Sequence, residues 1–202
     1  MKRTVSVLMA ALFIVMALAG CGAGGAKITH GAWDGNTFTN ESTGVKLTAG
    51  DGWTVATDEE LAELMNVTVD EVTDGESNVF TDAVLKAQNI YDAMITNTDN
   101  SNVIVLYENL TISGSTKMTE EEYLNVVKEG LPAQLGGATC TFNEIADKKI
   151  GDNTWKVLSL SLDGTEVEQA YLVRKLDNYM IAIIATSTGT VSVDEMIDSV
   201  VG

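Results

Sequence analysis

Apolar and polar positions alternate with a period of two through much of the chain, in short runs closely punctuated by turn residues. That is the pattern of half-buried strands joined by tight turns. Val45-Lys46-Leu47-Thr48 alternates cleanly. Trp33-Asp34-Gly35-Asn36 carries an Asp-Gly hairpin signal ahead of a short strand, Thr37–Asn40. Ser42-Thr43-Gly44 turns the chain, and Gly50-Asp51-Gly52 turns it again into Trp53-Thr54-Val55. Ile90–Ile95 and Val103–Tyr107 read as a hairpin about the polar loop Asn97–Asn102. Four further runs follow: Ala138–Ile145, Thr154–Leu162, Val167–Lys175 and Tyr179–Ser187. Gly151-Asp152-Asn153, Asp163-Gly164 and Asp177-Asn178 separate them, which predicts an antiparallel meander.

Helical spacing replaces alternation at four places. Thr57-Asp58-Glu59-Glu60 is a capping box, followed by Leu61, Leu64 and Met65 on one face. A second helix is predicted from about Asn78 to Gln88, with Phe80, Val84 and Leu85 as its stripe. Met118-Thr119-Glu120-Glu121-Glu122 opens a third, whose apolar face is Tyr123, Leu124, Val126, Val127 and Leu131. Val193–Val201 is a short amphipathic close. Strands cluster and hairpins dominate, so the expected class is α+β: an antiparallel sheet of hairpins and a C-terminal meander, flanked by three or four helices.

The N-terminus has another character. Lys2 and Arg3 precede an apolar run from Val5 to Ala19, and Leu18-Ala19-Gly20-Cys21 matches a bacterial lipobox. The run is shorter than the roughly 20 residues a membrane span needs. The expected organisation is a lipoprotein signal peptide over 1–20, cleaved between Gly20 and Cys21, then a lipidated Cys21 and Gly/Ala tether over 21–31, then one domain over 32–202. A diacylglyceryl group on Cys21 would hold the protein on the extracytoplasmic face of a membrane, since two acyl chains suffice for stable attachment.

Charge narrows the partners. Twelve Lys and Arg face 29 Asp and Glu, a formal net charge of −17, so no basic footprint for nucleic acid exists. With Cys21 lipidated, Cys140 is left without a partner and no disulfide framework forms. A single histidine, His30, falls in the expected tether, which argues against a Ser-His-Asp triad and against a His/Cys zinc site. No glycine-rich loop precedes a P-loop lysine, so no cofactor is expected.

Oxygen-rich segments remain. Asp70, Asp74 and Glu76 are weak candidates for a hard cation, and Asn97–Asn102 offers oxygens too, but neither keeps the spacing of an EF-hand loop. Glu120–Glu122 and Asp58–Glu60 are consecutive and fan around their helix starts instead of converging. Trp33, Trp53 and Trp155 read as core-edge residues. No catalytic residue is nominated.

Gly44-Val45-Lys46-Leu47-Thr48-Ala49-Gly50-Asp51-Gly52-Trp53 resembles the strand, turn and Gly-Trp entry of PsbP-like domains. Ala49 and Gly50 stand where many of those carry a proline. The wider pattern is similar to that of small lipoproteins of anaerobic gut Firmicutes. It includes Trp33–Asn36, Asn40-Glu41, Asp58–Met65, Tyr107-Glu108-Asn109-Leu110 and Tyr123. The resemblance implies a PsbP-like fold and an accessory or binding role, and carries over no site. The expected function is a lipid-anchored cell-envelope module that binds a protein partner without catalysis. The alternatives are a small-molecule or divalent-cation binding lipoprotein and a hydrolase using carboxylates alone.

Overall fold

The computed structural model describes residues 28–67, 80, 82–189 and 191–202. The expected signal peptide, Cys21, most of the expected tether and the cation candidates Asp70, Asp74 and Glu76 lie outside the described residues.

The described residues form two antiparallel sheets. The small one has the order β1-β2-β3, with β1 Ala32–Asp34, β2 Thr37–Asn40 and β3 Val45–Thr48. The large one runs β4-β5-β6-β11-β10-β9-β7, with β8 also paired to β9. Its strands are β4 Trp53–Val55, β5 Asn89–Asn97, β6 Asn102–Asn109, β7 Cys140–Phe142, β8 Ala146–Ile150, β9 Asn153–Leu162, β10 Glu168–Leu176 and β11 Tyr179–Ser187. The helices are α1 Asp58–Met65, α2 Asp82–Leu85, α3 Glu120–Gln134 and α4 Val193–Val200.

The period-two pattern is what stacks these layers. One face of the large sheet carries the row Ala93, Val105, Ile183, Leu172 and Val157, each opposite the next across the ladder. The residues of that row pack with Phe38, Val45 and Leu47 of the small sheet and with Val193, Met196, Ile197 and Val200 of α4. The other face carries Met94, Ile104, Ile184, Tyr171 and Leu158 in the neighbouring row. These pack under Tyr123, Leu124, Val127 and Leu131 of α3. The result is a three-layer sandwich with a core on each side of the central sheet, and the α+β class is as expected.

The helix starts are built as their sequences require. Thr57, Thr119 and Ser192 each cap a helix, and Glu60, Glu122 and Glu195 reach back to complete the capping boxes. Two elements differ from expectation. The second helix is only the four residues Asp82–Leu85 among those described, with Phe80 buried ahead of it. The run Ala138–Ile145 is a strand only over Cys140–Phe142: β7 pairs with Leu160–Leu162, and after a break at 143–145 the chain continues along the same edge of β9 as β8, beside Asn153–Val157. β8 is the polar Ala-Asp-Lys-Lys-Ile, too hydrophilic to show alternation, and lysines at a sheet edge also deter pairing with other chains.

Candidate functional site

The small sheet is tied to the large one at an irregularity in β5. Tyr91 faces Leu106 and Ala93 faces Val105, so Asp92 is an extra residue with no opposite number, a β-bulge. The bulge resets the alternation, and Asp92 is directed toward the small sheet, where it is 1% exposed.

Four donors converge on its carboxylate. His30 Nδ1 lies 2.6 Å from Oδ1 and the Gly31 backbone N–H donates to the same oxygen at 3.0 Å. Asn40 Nδ2 donates to Oδ2 at 2.8 Å, and the buried Tyr107 hydroxyl donates there as well. A carboxylate only accepts, so Nδ1 is the imidazole nitrogen that bears the proton. Burial works to lower the His30 pKa, but the hydrogen bond and charge of Asp92, with Asp58 beyond, outweigh it, and the net direction is upward. Burial, then the charge of Asp92, pushes the Tyr107 phenol well above its ordinary value.

Asn40 is the hub on the small-sheet side. Its Oδ1 accepts from the Ser42 N–H at 2.9 Å, the Ser42 hydroxyl at 2.7 Å and the Thr43 N–H at 3.1 Å. Its Nδ2 also donates to the Thr29 carbonyl at 2.6 Å. Thr29 N–H in turn donates to Ser42 Oγ at 3.0 Å. Residues 28–31 are therefore stitched into the domain, with Ile28 only 2% exposed. Gly31 is required there: a Cβ would stand 2.2 Å from the Phe38 ring. His30, read from sequence as part of a loose tether, is instead fixed in the core wall, with the Phe80 ring 5.4 Å away. Its partner is 62 residues distant, which no local pattern reveals. The available signal was one acid inside the apolar run Ile90–Ile95.

A carboxylate holding imidazole Nδ1 is also how catalytic dyads orient a general base. That chemistry needs a hydroxyl or thiol at Nε2, and among the described residues none is hydrogen-bonded there. Cys140 is half-buried in β7, and burial, then Asp163, raises its thiol pKa, the opposite of an activated nucleophile.

A second buried acid lies on the opposite face. Glu108, 3% exposed, accepts from the Tyr123 hydroxyl at 2.9 Å and from Gln88 Nε2 at 3.4 Å. Burial raises its pKa, against the lowering effect of those two bonds. Asn89 Oδ1 and the Tyr91 hydroxyl, both on this side of β5, are buried without a partner.

The other sequence candidates do not converge. In the loop after β5, Asn97 Oδ1 accepts from Thr98 N–H at 2.7 Å and Asp99 Oδ1 from Ser101 N–H at 2.8 Å, so these oxygens close the turn. Among the described residues no three His, Cys, Asp or Glu side chains are gathered as a metal site would need. Two open surface grooves are lined by one carboxylate each. One, of about 510 Å³, runs along Gly114–Met118 beside Glu122; the other, of about 340 Å³, lies between β4, β5 and Glu60. Both glutamates are engaged in capping their own helices. Trp155 is core and lies under the Arg174 guanidinium at 5.3 Å, while Trp33 and Trp53 close core edges.

No family model matches the chain, and no curated protein matches it. It is similar to the solution structure of cyanobacterial PsbP (CyanoP) from Synechocystis sp. PCC 6803, with 13% identity and a TM-score of 0.41 over 90% of this chain and 89% of that one. The α+β assignment stands on the chain's own sheet order.

Proposed function

We propose that the chain is a lipid-anchored, extracytoplasmic module of PsbP-like fold that binds a protein partner of the cell envelope and performs no catalysis. One observation carries the reading. The arrangement that most resembles acid–base machinery, His30 with Asp92, serves instead to join the N-terminal segment and the small sheet to the large one. The grooves support it as well. Hydrolysis by carboxylates alone needs two acids about 5–9 Å apart across a cleft, and each groove offers a single glutamate already tied to its helix cap. The anchor rests on Leu18-Ala19-Gly20-Cys21.

Two measurements in the native host test it together. The mature protein should begin at Cys21 and carry diacylglycerol, seen as intact mass, and Cys21→Ser should release it from the membrane fraction. Photo-crosslinkers at exposed α3 positions Glu121, Asn125 and Glu129 should give one discrete adduct in the wild-type membrane fraction. An unmodified N-terminus would remove the anchor, and the absence of any adduct from exposed positions around the domain would remove the binding role.

A further inference from the structure

We infer that residues 28–31 form a pH-sensitive strap, closed when His30 is protonated and loosened when it is neutral. The segment lies against the domain through a few polar bonds and one buried side chain, Ile28. Thr29 N–H reaches Ser42 Oγ, Thr29 carbonyl accepts from Asn40, and His30 and Gly31 both bond Asp92. The strap adds no strand to either sheet, so its opening leaves every ladder intact. Segments of this kind open locally at free energies below that of global unfolding.

The charges facing His30 set the direction. Asp92 comes from β5 and Asp58 from the start of α1, both acidic. From β6 comes the Tyr107 phenol, which itself bonds Asp92, and from β2 the neutral Asn40. The Phe80 ring adds no charge. No basic side chain is bonded to Asp92, so protonated His30 is the one cation that balances its buried carboxylate among the described residues. Loss of the imidazole proton occurs at Nε2 and leaves the Nδ1–H bond in place. What disappears is the charge pairing, so the strap weakens without a change of partners. Because the folded His30 pKa lies above the unfolded value, the stabilisation is complete below about pH 6.5 and is lost as pH rises through the raised folded value.

This matters for anchoring, a consequence that rests on the lipidation reading. With the strap closed, residues 22–27 are the spacer between Cys21 and the domain, about 21 Å at full extension. With it open the spacer becomes residues 22–31, about 35 Å. Alkaline pH would then let the domain stand further from the membrane, and acid would draw it in.

The test is amide hydrogen exchange on the intact protein, read at Thr29 and Gly31 and corrected for the intrinsic pH dependence. The expected result is a protection factor that falls with rising pH at these two amides and not in β6 or β11. Each unit by which the folded His30 pKa exceeds the unfolded one corresponds to about a tenfold fall. His30→Gln should make the protection flat with pH. Protection at Thr29 and Gly31 that is flat in the wild type, or that falls equally in His30→Gln, overturns the inference. If His30→Gln does not fold, the wild type still decides, because His30 is the only histidine and its ring gives a single NMR titration. A midpoint at or below the ordinary value overturns the strap. Lipidation is read separately as mass at Cys21, so a failed anchor and a failed strap are told apart.

Discussion

The two faces of the large sheet each bury a carboxylate and satisfy it differently. On the small-sheet side, Asp92 meets four donors from three places in the chain, one of them an imidazole that can carry charge. On the α3 side, Glu108 meets a phenol and a distant amide, and among the described residues no cation is bonded to it. Both acids are almost fully covered, so the difference lies in coordination and not in burial. A buried charge is tolerated when its lone pairs are filled and its charge is balanced; otherwise desolvation dominates and favours the neutral form. Asp92 therefore acts as a joint between layers, whereas Glu108 is held mainly by the packing around it.

The largest break in this comparison is Asp92→Ala. It leaves the Gly31 N–H buried without an acceptor, takes from the Tyr107 hydroxyl and Asn40 Nδ2 the carboxylate oxygen they share, and removes the partner of His30. Breaking a buried, hydrogen-bonded charge network costs about 3–5 kcal/mol. Urea unfolding followed by tryptophan fluorescence should show a loss of that size at pH 6. A loss of about 1 kcal/mol or less would mean that the layers are joined by apolar packing alone.

How much of this contrast could be read from the sequence depends on the range of each interaction. The capping box at Thr57 is legible because cap and partner lie three residues apart. Tyr179–Ser187 was legible to its ends, and the Asp34-Gly35 hairpin turn was too, with Gly35 at φ +59°. The continuous apolar runs of β6 and β11 are those of strands covered on both faces, and both strands are buried along their whole length. What escaped was set by distant partners or by weak local preference. The bulge at Asp92 is defined by register against β6, and its donors at positions 30, 31 and 40 lie more than 50 residues away. β8 has an edge strand's polar composition. The separation of β1–β3 into their own sheet depends on how layers stack, which hairpin signals do not encode. In both strands the usable hint was the same: one acid within an apolar run, Asp92 in β5 and Glu108 in β6.

Glu108→Gln tests the other half of the comparison and carries the opposite sign. Gln keeps an oxygen for the Tyr123 hydroxyl and removes the buried charge, so stability at pH 7 should rise by about 1 kcal/mol or stay level. The pH dependence is more telling. Burial raises the folded pKa of Glu108 above its unfolded value, so the wild type binds a proton more tightly when folded. It gains stability as pH falls through the interval between those two values. The advantage of Glu108→Gln should therefore shrink toward acid. An advantage independent of pH would show that the carboxyl group is not the source, and a loss of several kcal/mol would make Glu108 a second joint like Asp92.

Tyr91→Phe is the smallest and finest test, because it changes one atom beside the bulge while leaving the Asp92 network alone. The Tyr91 ring packs in the α3-side core, and burial pushes its phenol pKa up to about 12. Its hydroxyl is buried and makes no hydrogen bond. A hydroxyl taken from water without a replacement partner costs about 1–3 kcal/mol, whereas a paired one contributes about 1. Removing it should thus raise the unfolding midpoint, by an amount smaller than the effect of Asp92→Ala and of opposite direction. A drop of about 1 kcal/mol would show that the hydroxyl is partnered in solution by an ordered water. The α3 face would then carry a hydrated polar cluster of Asn89, Tyr91 and Glu108, and the contrast between a saturated and an unsaturated side of the sheet would narrow accordingly.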